Sequence, residues 1–434
     1  MKNIKQLNIA IIGLGNIGSY LYKYLQTNKK ILSKKNNCIP NVSFVSAKNK
    51  KKKRKFKIDK KKWLKTYLDA TKFNNVDIIV ELIGGAEGPA KKLVFEALKN
   101  KKHVVTANKA LIAKYGDKLS KIAEDNKVNL EFEAAVCGGV PIIRSLKEGL
   151  IANKISKVHG IFNGTSNYIL STMDKENRNY QDVLDNAKKL GYAESNPISD
   201  LNGDDVASKL KILSSLCFNS FLDNNVHIEG INFIDKLDID YANNLGYKIK
   251  LLGVSEIINK KVYQRVHPAL VKKSSYIASI DGVLNAVIVD GSPVGQNVIQ
   301  GEGAGAEATT SALVSDISSI LRGNIKFPFS ISNKERKKLK FKDILDRNFS
   351  AYLRFEVLDK PGVLSNITNI FSKNKVSIKR LIQNPYKSKR YSTIIIITHK
   401  AKNKFLNKII KSTEKKSYII KKPKLIRINN NWCL

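Results

Sequence analysis

The sequence predicts an α/β protein with a doubly wound parallel sheet, a mixed α/β middle domain and a C-terminal domain of the ferredoxin-like type. Three observations support this prediction. Short apolar runs alternate with amphipathic segments in the first third, the pattern becomes mixed in the middle, and the order βαββαβ ends the chain. We place the domains at 1–136 (completed by 303–325), 137–302 and 349–434, with a basic linker at 326–348.

Five apolar runs in the first domain are typical of buried parallel strands. They are IAIIG (9–13), VSFVSA (42–47), VDIIVELI (76–83), HVVTA (103–107) and VNLEFEAAV (128–136). Helix-like segments at 17–26 and 88–99 separate some of them, as in βαβ units.

Beyond residue 137 the predicted elements are mixed. The helices are at 140–150, 179–190, 204–217 and 306–321, and the strands are near 157–162, 261–271 and 286–295. We expect the helix at 306–321 to return to the first domain. The C-terminal order is strand AYLRFEV, helix GVLSNITNIFSKN, strands VSIKRLI and RYSTIIIIT, helix 402–411 and strand 417–428.

The composition indicates a soluble cytoplasmic protein. No stretch approaches the roughly 18 to 20 apolar residues of a membrane span, and the N-terminus lacks the apolar core of a signal peptide. The cysteines are scattered without a CxxC pair, and the histidines have no ligand-like spacing, which argues for reduced thiols and against zinc. The cysteines are Cys38, Cys137, Cys217 and Cys433.

The formal net charge of +40 would ordinarily suggest a nucleic-acid or other anionic partner. Because lysines occur throughout the chain, we attribute the charge to a general compositional bias and predict no nucleic-acid partner. The densest run, at 48–62, is either a solvated surface that also contacts a cofactor phosphate, or a nucleic-acid patch.

The segment GLGNIG follows the first strand directly and precedes a helix. Gly13 would permit the tight turn, Gly15 the approach of a pyrophosphate, and Gly18 close helix packing. Asn16 and Ile17 complete the loop. This context predicts a Rossmann-type dinucleotide site.

The end of the second strand predicts which dinucleotide binds. An NAD-selective site would carry an acid there, but none occurs before Asp59, and the strand end contains Ser46, Lys48 and Lys50. Cations in place of the acid favour the 2′-phosphate, so we predict NADPH rather than NADH. The alternative is that both lysines belong only to the basic surface.

Two lysines are candidates for the chemistry. Lys109 follows strand HVVTA at the carboxyl end of the sheet, where ligands of such sheets bind. On helix 204–217, Asp205 and Lys209 project within about 40° of each other among apolar residues, which predicts an enclosed pair. Either this pair serves the reaction or it fixes the helix. Lys211, Ser214, Ser215 and Ala207 fall on the opposite, more polar side.

Three glycine-containing or acidic loops complete the pattern. The loop before this helix also contains Glu194, Asp200 and Asp204. EAAVCGGVP (133–141) combines Glu133 with exposed carbonyls that suit a monovalent cation, or is a plain turn. Gly303 and Gly305 precede helix 306–321 and suit a cofactor amide or phosphate.

Taken together, these segments resemble homoserine dehydrogenase over essentially the whole chain. ELIGG, TANKALIA, EAAVxGGVPII, NGTSNYIL and GxGAG occur in the family's order. The most specific signature is formed by Ala187, Gly191, Tyr192, Ala193, Glu194, Pro197, Asp200, Gly203, Asp205 and Lys209.

The resemblance implies NAD(P)-dependent interconversion of L-aspartate 4-semialdehyde and L-homoserine, on the route to threonine and methionine. It implies that Lys209 donates the proton, that Lys109 orients substrate or shuttles the proton, and that Asp205 fixes Lys209. Glu194 would hold the substrate amino group and Asp200 the substrate. The cofactor residues implied are Gly13, Gly15, Asn16, Ile17, Gly18, Lys48, Ile83, Gly84, Lys109, Gly303 and Gly305.

The resemblance also implies a sodium or potassium site. Its ligands would be Glu133, Val136, Gly138 and Val140, mostly through main-chain oxygens. Cys137 stands where the family usually has glycine, which puts the loop geometry in question. Ser195, Asn196 and Ala308 also replace more usual residues, but none of these changes removes a proposed catalytic group.

The tail resembles an ACT domain through FEVLDKPGVL. Asp359 and Gly362 lie at the turn that commonly receives an amino acid, so we predict feedback inhibition by L-threonine. The alternative is a purely structural or dimerising tail, since βαββαβ folds serve many functions. We also expect a homodimer or homotetramer.

Two other functions stay open at this point. An aspartate-semialdehyde dehydrogenase would need Cys137 as its nucleophile. A non-catalytic regulator would sense dinucleotide and amino acid and bind nucleic acid, but such a sensor needs no proton donor.

Overall fold

The structure is a computed structural model that describes residues 4–54, 56–385 and 390–429. Its N-terminal part is a five-stranded parallel sheet with strand order β2-β1-β3-β4-β5. The strands are β1 (Lys5–Ile12), β2 (Cys38–Ser46), β3 (Ile78–Glu81), β4 (His103–Thr106) and β5 (Leu130–Glu131). The predicted doubly wound sheet is confirmed.

Helices cover both faces of this sheet, so its strands are buried and read as continuous apolar runs. The helices are α1 (Asn16–Thr27), α2 (Lys29–Asn36), α3 (Asp69–Lys72), α4 (Pro89–Lys99) and α5 (Lys109–Asp125). Because the strand order reverses direction between β1 and β3, the loops that follow these strands diverge and leave a crevice at their carboxyl ends.

The middle of the chain contains a second, mixed sheet. The helices are α6 (Ile142–Arg144), α7 (Gly164–Glu176), α8 (Tyr180–Lys189), α9 (Ile198–Asn202), α10 (Asp204–Phe218) and α11 (Lys236–Asn244). The strands are β6 (Lys154–Ile161), β7 (His227–Ile228), β8 (Tyr247–Ile258), β9 (Lys261–Lys272), β10 (Leu284–Ser292) and β11 (Gly295–Glu302).

Helix α12 (Ala306–Leu321) returns to the first sheet, as predicted. Its buried apolar residues Leu313 and Ile317 share one core with Ile9 and Ile11 of β1 and with Leu21 of α1. The return is driven by the burial of an apolar helix face against a sheet that would otherwise expose it.

The C-terminal part has the predicted βαββαβ order. Its strands are β12 (Lys340–Lys342), β13 (Asn348–Leu358), β14 (Ile378–Pro385), β15 (Tyr391–Thr398), the short β16 (Ala401–Lys402) and β17 (Ile419–Asn429), and its helices are α13 (Val363–Lys373) and α14 (Asn403–Glu414). Parallel pairing of β17 with β9 joins its sheet to the middle one, so a single sheet runs β11-β10-β6-β8-β9-β17-β13-β15-β14.

Two predicted elements differ from the structure. The predicted strand 128–136 is only two residues long, because the chain turns at Glu133–Ala135 to pack against α12. The predicted helix 140–150 is three residues of α-helix followed by a wider π-helical turn at Ser145–Gly149. Both errors arise because tertiary contacts override an apolar pattern.

The segment 326–348, predicted as a linker, packs closely against its neighbours. Buried Arg336 donates from Nη2 to Asp117 of α5 (2.6 Å) and to Ser215 of α10 (2.8 Å). Its guanidinium also lies 4.2 Å from the ring centroid of Phe329. Arg336 therefore joins α5, which packs on the first sheet, to α10, which packs on the second sheet.

Within the part of the chain that the structure describes, no helix has the length and apolar content needed to cross a membrane.

Candidate active site

The crevice at the carboxyl ends of β1, β3 and β4 has a volume of about 290 Å³. It is lined by Gly13, Gly15, Asn16, Ile17, Gly18, Glu81, Leu82, Ile83, Gly84, Ala107 and Asn108. The structure thus brings together all the cofactor residues predicted in GLGNIG and both of those predicted in ELIGG. Lys48, Lys109, Gly303 and Gly305 lie outside this lining.

Each of the three glycines of GLGNIG is favoured at its position for a different structural reason. Gly13 has φ +114°, and a Cβ there would lie 2.3 Å from the carbonyl oxygen of Leu82. A Cβ on Gly18 would lie 2.0 Å from the carbonyl oxygen of Gly13. A Cβ on Gly15 would meet no atom within 4 Å, so this side of the loop borders open space. An open cradle at the second glycine suits a bound pyrophosphate.

Helix α1 begins at this loop with Asn16 as its first residue. Its N-cap, Gly15, has no side chain to cap the first-turn amides, and the first turn carries no acid. Such uncapped amides, with the positive end of the helix dipole behind them, stabilise a phosphate. The loop and the helix therefore fit a dinucleotide.

Glu81 shapes the opposite wall of the crevice, and the sequence analysis missed it. Its buried carboxylate accepts hydrogen bonds from the amides of Ile83 (2.8 Å) and Gly84 (2.9 Å), and from Thr106 Oγ1 (2.5 Å). An acid at the end of an otherwise apolar buried strand was the available signal, because such an acid needs nearby donors.

The basic stretch after β2 borders the glycine loop, since the Gly13 amide donates to the Ser46 carbonyl (2.9 Å). Lys48 is exposed two residues beyond Ser46. Lys50 differs from Lys48 because its ammonium donates to the Leu64 carbonyl (2.6 Å). Arg54 is also engaged, since it donates to main-chain oxygens of this stretch.

A second cluster of polar groups is centred on Asp205 near the start of α10. Its carboxylate lies 2.9 Å from Lys109 Nζ through Oδ1 and 2.8 Å from Lys209 Nζ through Oδ2. Asp205 is 4% exposed and Lys209 8% exposed, whereas the side chain of Lys109 is 42% exposed. The enclosed pair predicted on this helix is confirmed, and Lys109 completes it.

The surroundings of Lys209 orient its ammonium group. Nζ also donates to the carbonyl oxygen of Phe162 (2.6 Å), which leaves one of its three N–H donors without an acceptor among the described residues. The Asn163 amide, which the sequence analysis did not single out, donates to Asp205 (2.9 Å) and to Asp200 (2.8 Å). Asp200 therefore belongs to the same cluster.

The electrostatics keep this cluster charged. Burial by itself raises the pKa of Asp205, but the ammonium groups of Lys209 and Lys109 hold it well below its usual range. Burial by itself lowers the pKa of Lys209, but the Asp205 carboxylate reverses this and raises it above its usual value. Burial, with the nearby charge of Asp205, raises the pKa of Asp200.

Asn108 connects the cluster to the crevice. It lines the crevice, donates from Nδ2 to the Gly85 carbonyl (2.7 Å) and caps α5 by accepting from the Leu111 amide (3.1 Å). The next residue, Lys109, contacts Asp205. The paired lysines therefore lie beside the glycine-rich crevice.

Other parts of α10 differ from the expected two-sided helix. Ser214, Ser215 and Ala207, expected on a more polar side, are buried. The serines form hydrogen bonds to Ser255 (2.9 Å) and to the Ser220 carbonyl (2.6 Å). Small polar residues can be enclosed when a neighbour satisfies their hydroxyl groups.

Glu194 lies on an exposed loop. The loop is attached to the start of α7, because Thr165 Oγ1 donates to the Tyr192 carbonyl (2.6 Å). Among the described residues, no hydrogen bond or ion pair joins Glu194 to the Asp205 cluster.

Glu133 is buried, and its carboxylate accepts from the amides of Ile143 (2.8 Å) and Arg144 (2.7 Å). Burial raises its pKa to about 7. Cys137 has φ +55°, a left-handed conformation that a glycine adopts more easily, which explains why glycine suits this position. Gly138 allows close contact with Gly303, since its Cβ would lie 2.6 Å from the Gly303 carbonyl oxygen.

Gly305 precedes α12 with φ +112° and borders open space.

In the C-terminal domain, Asp359 and Gly362 line a cavity of about 340 Å³ together with Pro361 and Gln383. Gly362 has φ +85° and is the N-cap of α13. The turn expected to receive an amino acid is therefore concave.

Family models match three parts of the chain. Residues 13–133 match the model described as homoserine dehydrogenase, NAD binding domain, and residues 141–318 match the homoserine dehydrogenase model. Residues 353–421 match an ACT domain like that of the AHAS small subunit.

Curated and solved relatives agree with these matches. A homoserine dehydrogenase of Neisseria gonorrhoeae is 37% identical over 434 residues, covering 98% of this chain and 99% of its own length. The crystal structure of a homoserine dehydrogenase from Thiobacillus denitrificans has a TM-score of 0.90 at 35% identity, with 98% of each chain covered. That of S. aureus has a TM-score of 0.76 at 33% identity, covering 98% of this chain and 99% of the other.

The different surroundings of Gly15 and Gly18 predict opposite effects of a methyl group. Gly15→Ala should leave the melting temperature unchanged but weaken NADPH binding about tenfold, because its Cβ enters the space that a pyrophosphate would occupy. Gly18→Ala should lower the free energy of unfolding by about 2 kcal/mol through its clash with Gly13. Thermal unfolding and a fluorescence titration with NADPH measure the two effects. Equal losses of affinity and stability in both variants would contradict this assignment.

Proposed function

The chain belongs to the homoserine dehydrogenase family, and we propose that the Lys109–Asp205–Lys209 cluster carries out the proton chemistry of its reaction. The protein is an NAD(P)-dependent oxidoreductase that acts on a CH–OH group. It interconverts L-aspartate 4-semialdehyde and L-homoserine, a step towards threonine and methionine. The bound nicotinamide cofactor supplies or accepts the hydride.

Lys209 is the proposed proton donor. When the aldehyde carbon is reduced, negative charge builds on the oxygen, and an adjacent ammonium group stabilises that charge and then delivers a proton. Two observations support this role. The pKa of Lys209 is held above its usual value, so the side chain stays protonated, and one of its N–H donors has no acceptor among the described residues.

Lys109 is proposed to assist Lys209 from the side of the cluster that faces the cofactor crevice. Its side chain is much more exposed than that of Lys209, and it follows the crevice residue Asn108. From this place Lys109 can orient the substrate or return a proton to Lys209. Asp205 contacts both ammonium groups and so fixes their separation.

Asp200 and Glu194 are the proposed substrate-binding acids. Asp200 belongs to the cluster through Asn163, and Glu194 lies on the neighbouring loop that Tyr192 attaches to α7. An amino group of the substrate would find carboxylates here, and a substrate that contacts Glu194 would order its exposed side chain.

The burial of Cys137 argues against the cysteine-dependent alternative. Burial raises the pKa of the Cys137 thiol to about 11, so the nucleophilic thiolate is disfavoured. An acylating dehydrogenase needs a cysteine whose thiol pKa is lowered, so that the thiolate forms readily.

Replacement of Lys209 tests the proposed mechanism. Lys209→Met should lower kcat for NADPH-dependent reduction of aspartate semialdehyde by about 10²- to 10⁴-fold, with a much smaller change in KM, because it removes the proton donor. Lys211→Met is the matched control, since Lys211 lies on the same helix and donates to Asn224 outside the cluster. Steady-state kinetics would contradict the proposal if both variants kept wild-type turnover.

We propose NADPH as the preferred cofactor. The exposed ammonium of Lys48 lies just beyond the end of β2, which touches the glycine loop, and residues 4–54 contain no acid. A 2′-phosphate would therefore meet a cation and no opposing carboxylate.

Lys48→Ala should raise the KM for NADPH about tenfold and leave the KM for NADH nearly unchanged, because only NADPH carries the 2′-phosphate. Lys23→Ala is the control for a general loss of positive charge, since Lys23 is exposed on α1. Kinetics with both cofactors measure the effect. A wild-type preference for NADH would overturn the assignment.

The monovalent cation stays a prediction. The Glu133 carboxylate is engaged by two amides, and no group of three His, Cys, Asp or Glu side chains suited to a metal occurs among the described residues. The homo-oligomeric state also stays a prediction.

A cytoplasmic location is supported by the free thiols of Cys38, Cys137 and Cys217, whereas Cys433 lies outside the described residues.

We propose that the ACT-like domain binds L-threonine and inhibits the enzyme. The concave turn at Asp359 and Gly362 supports an amino-acid site there. Millimolar threonine should lower the reduction rate several-fold in the wild type and much less in Gly362→Val, because a β-branched side chain strains the left-handed backbone of this exposed turn. Lys360→Ala, an exposed change in the same turn, is the control. An unchanged rate in the wild type would leave the domain a structural role.

A further inference from the structure

Two buried arginines of the C-terminal domain make paired hydrogen bonds with carboxylates of the middle domain. Arg427 of β17 donates to both oxygens of Glu229, at 2.6 and 2.9 Å. Arg354 of β13 donates to both oxygens of Asp235, at 2.9 and 2.6 Å. Both guanidinium groups are almost fully enclosed, so these contacts are fixed in geometry as well as strong.

The two carboxylates differ in what lies behind them. Glu229 is followed by Gly230, where a Cβ would lie 2.3 Å from the carbonyl oxygen of Leu201. The Ile231 amide donates to that same carbonyl (2.9 Å). Asp235 instead caps α11 by accepting from the amides at its start. The segment that follows Glu229 therefore rests on the end of α9, where Asn232 Nδ2 also donates to Asn202 (2.7 Å), whereas Asp235 lies at the start of α11.

The end of α9 leads straight into the catalytic helix. Helix α9 carries Asp200, Gly203 makes the turn with φ +92°, and α10 begins at Asp204, one residue before Asp205. A displacement of the Leu201 backbone would therefore move both acids of the cluster.

We propose that Arg427 is a positioning residue for the reaction: through Glu229 it holds the turn between α9 and α10 and thereby sets the position of Asp200 and Asp205. The inference rests on the proposed function of that cluster. It connects the ACT-like domain mechanically to the proposed substrate site, through the same strand, β17, that pairs with β9.

Two further contacts hold the side chains of Arg427 and Glu229 in place. Arg427 Nε donates to Asn403 Oδ1 (3.0 Å), and His227 Nε2 lies 2.7 Å from Glu229 Oε1. Although burial alone raises the pKa of Glu229, its contacts with His227 and Arg427 hold that pKa well below its usual range. Glu229 therefore stays ionised and engaged at neutral pH.

The test compares Arg427→Met with Arg354→Met. Each replacement removes one buried guanidinium from the same interface, so both should lower the melting temperature. Only Arg427→Met should raise the KM for aspartate semialdehyde, by about tenfold, while the Kd for NADPH stays unchanged. Arg427→Lys should restore part of the loss, because one ammonium can contact Glu229 but cannot bind both of its oxygens as a guanidinium does.

Equal changes in substrate KM for both methionine variants would overturn the inference, since the arginines would then only dock the domain. If Arg427→Met does not fold, Glu229→Gln weakens the same contact from the other side and should raise the same KM. An unchanged KM in Glu229→Gln also overturns the inference. Failure of the proposed function is seen separately, as a wild type without activity on aspartate semialdehyde or a Lys209→Met variant with full turnover.

Discussion

The Asp205 carboxylate, shared by the ammonium groups of Lys109 and Lys209, is the contact on which the site depends. The two lysines come from different domains, so this one side chain brings the dinucleotide crevice and helix α10 together. Burying these charges is tolerated because they are paired, and Lys209 keeps one N–H donor without an acceptor among the described residues. An oxygen that gains negative charge beside this cluster is therefore stabilised.

Contacts far from the crevice hold the two lysine-bearing helices in place. Asp205 joins them near their starts, and Arg336 joins them further along through Asp117 and Ser215. The shared sheet extends this rigidity, because β17 of the ACT-like domain pairs directly with β9. The region predicted as a linker and the ACT-like domain are thus parts of one packed framework that supports the Asp205 cluster.

Local patterns were sufficient to predict the doubly wound sheet, the glycine loop and the Asp205–Lys209 pair, because each depends on residues close together in the sequence. The role of Asn163 and the contact between Lys109 and Asp205 depend on packing between distant segments, which periodicity does not encode. The same reason explains the shortened strand at Leu130–Glu131 and the buried serines of α10.

The pH dependence of kcat/KM for aspartate semialdehyde tests the central electrostatic claim most directly. In the proposed mechanism reduction needs protonated Lys209, so its rate should fall at alkaline pH, as the pH rises through a pKa that Asp205 holds above its usual value. In Asp205→Asn, burial is no longer opposed by the carboxylate, so the alkaline fall should move to lower pH. An alkaline limb at the same pH in both proteins would contradict the account.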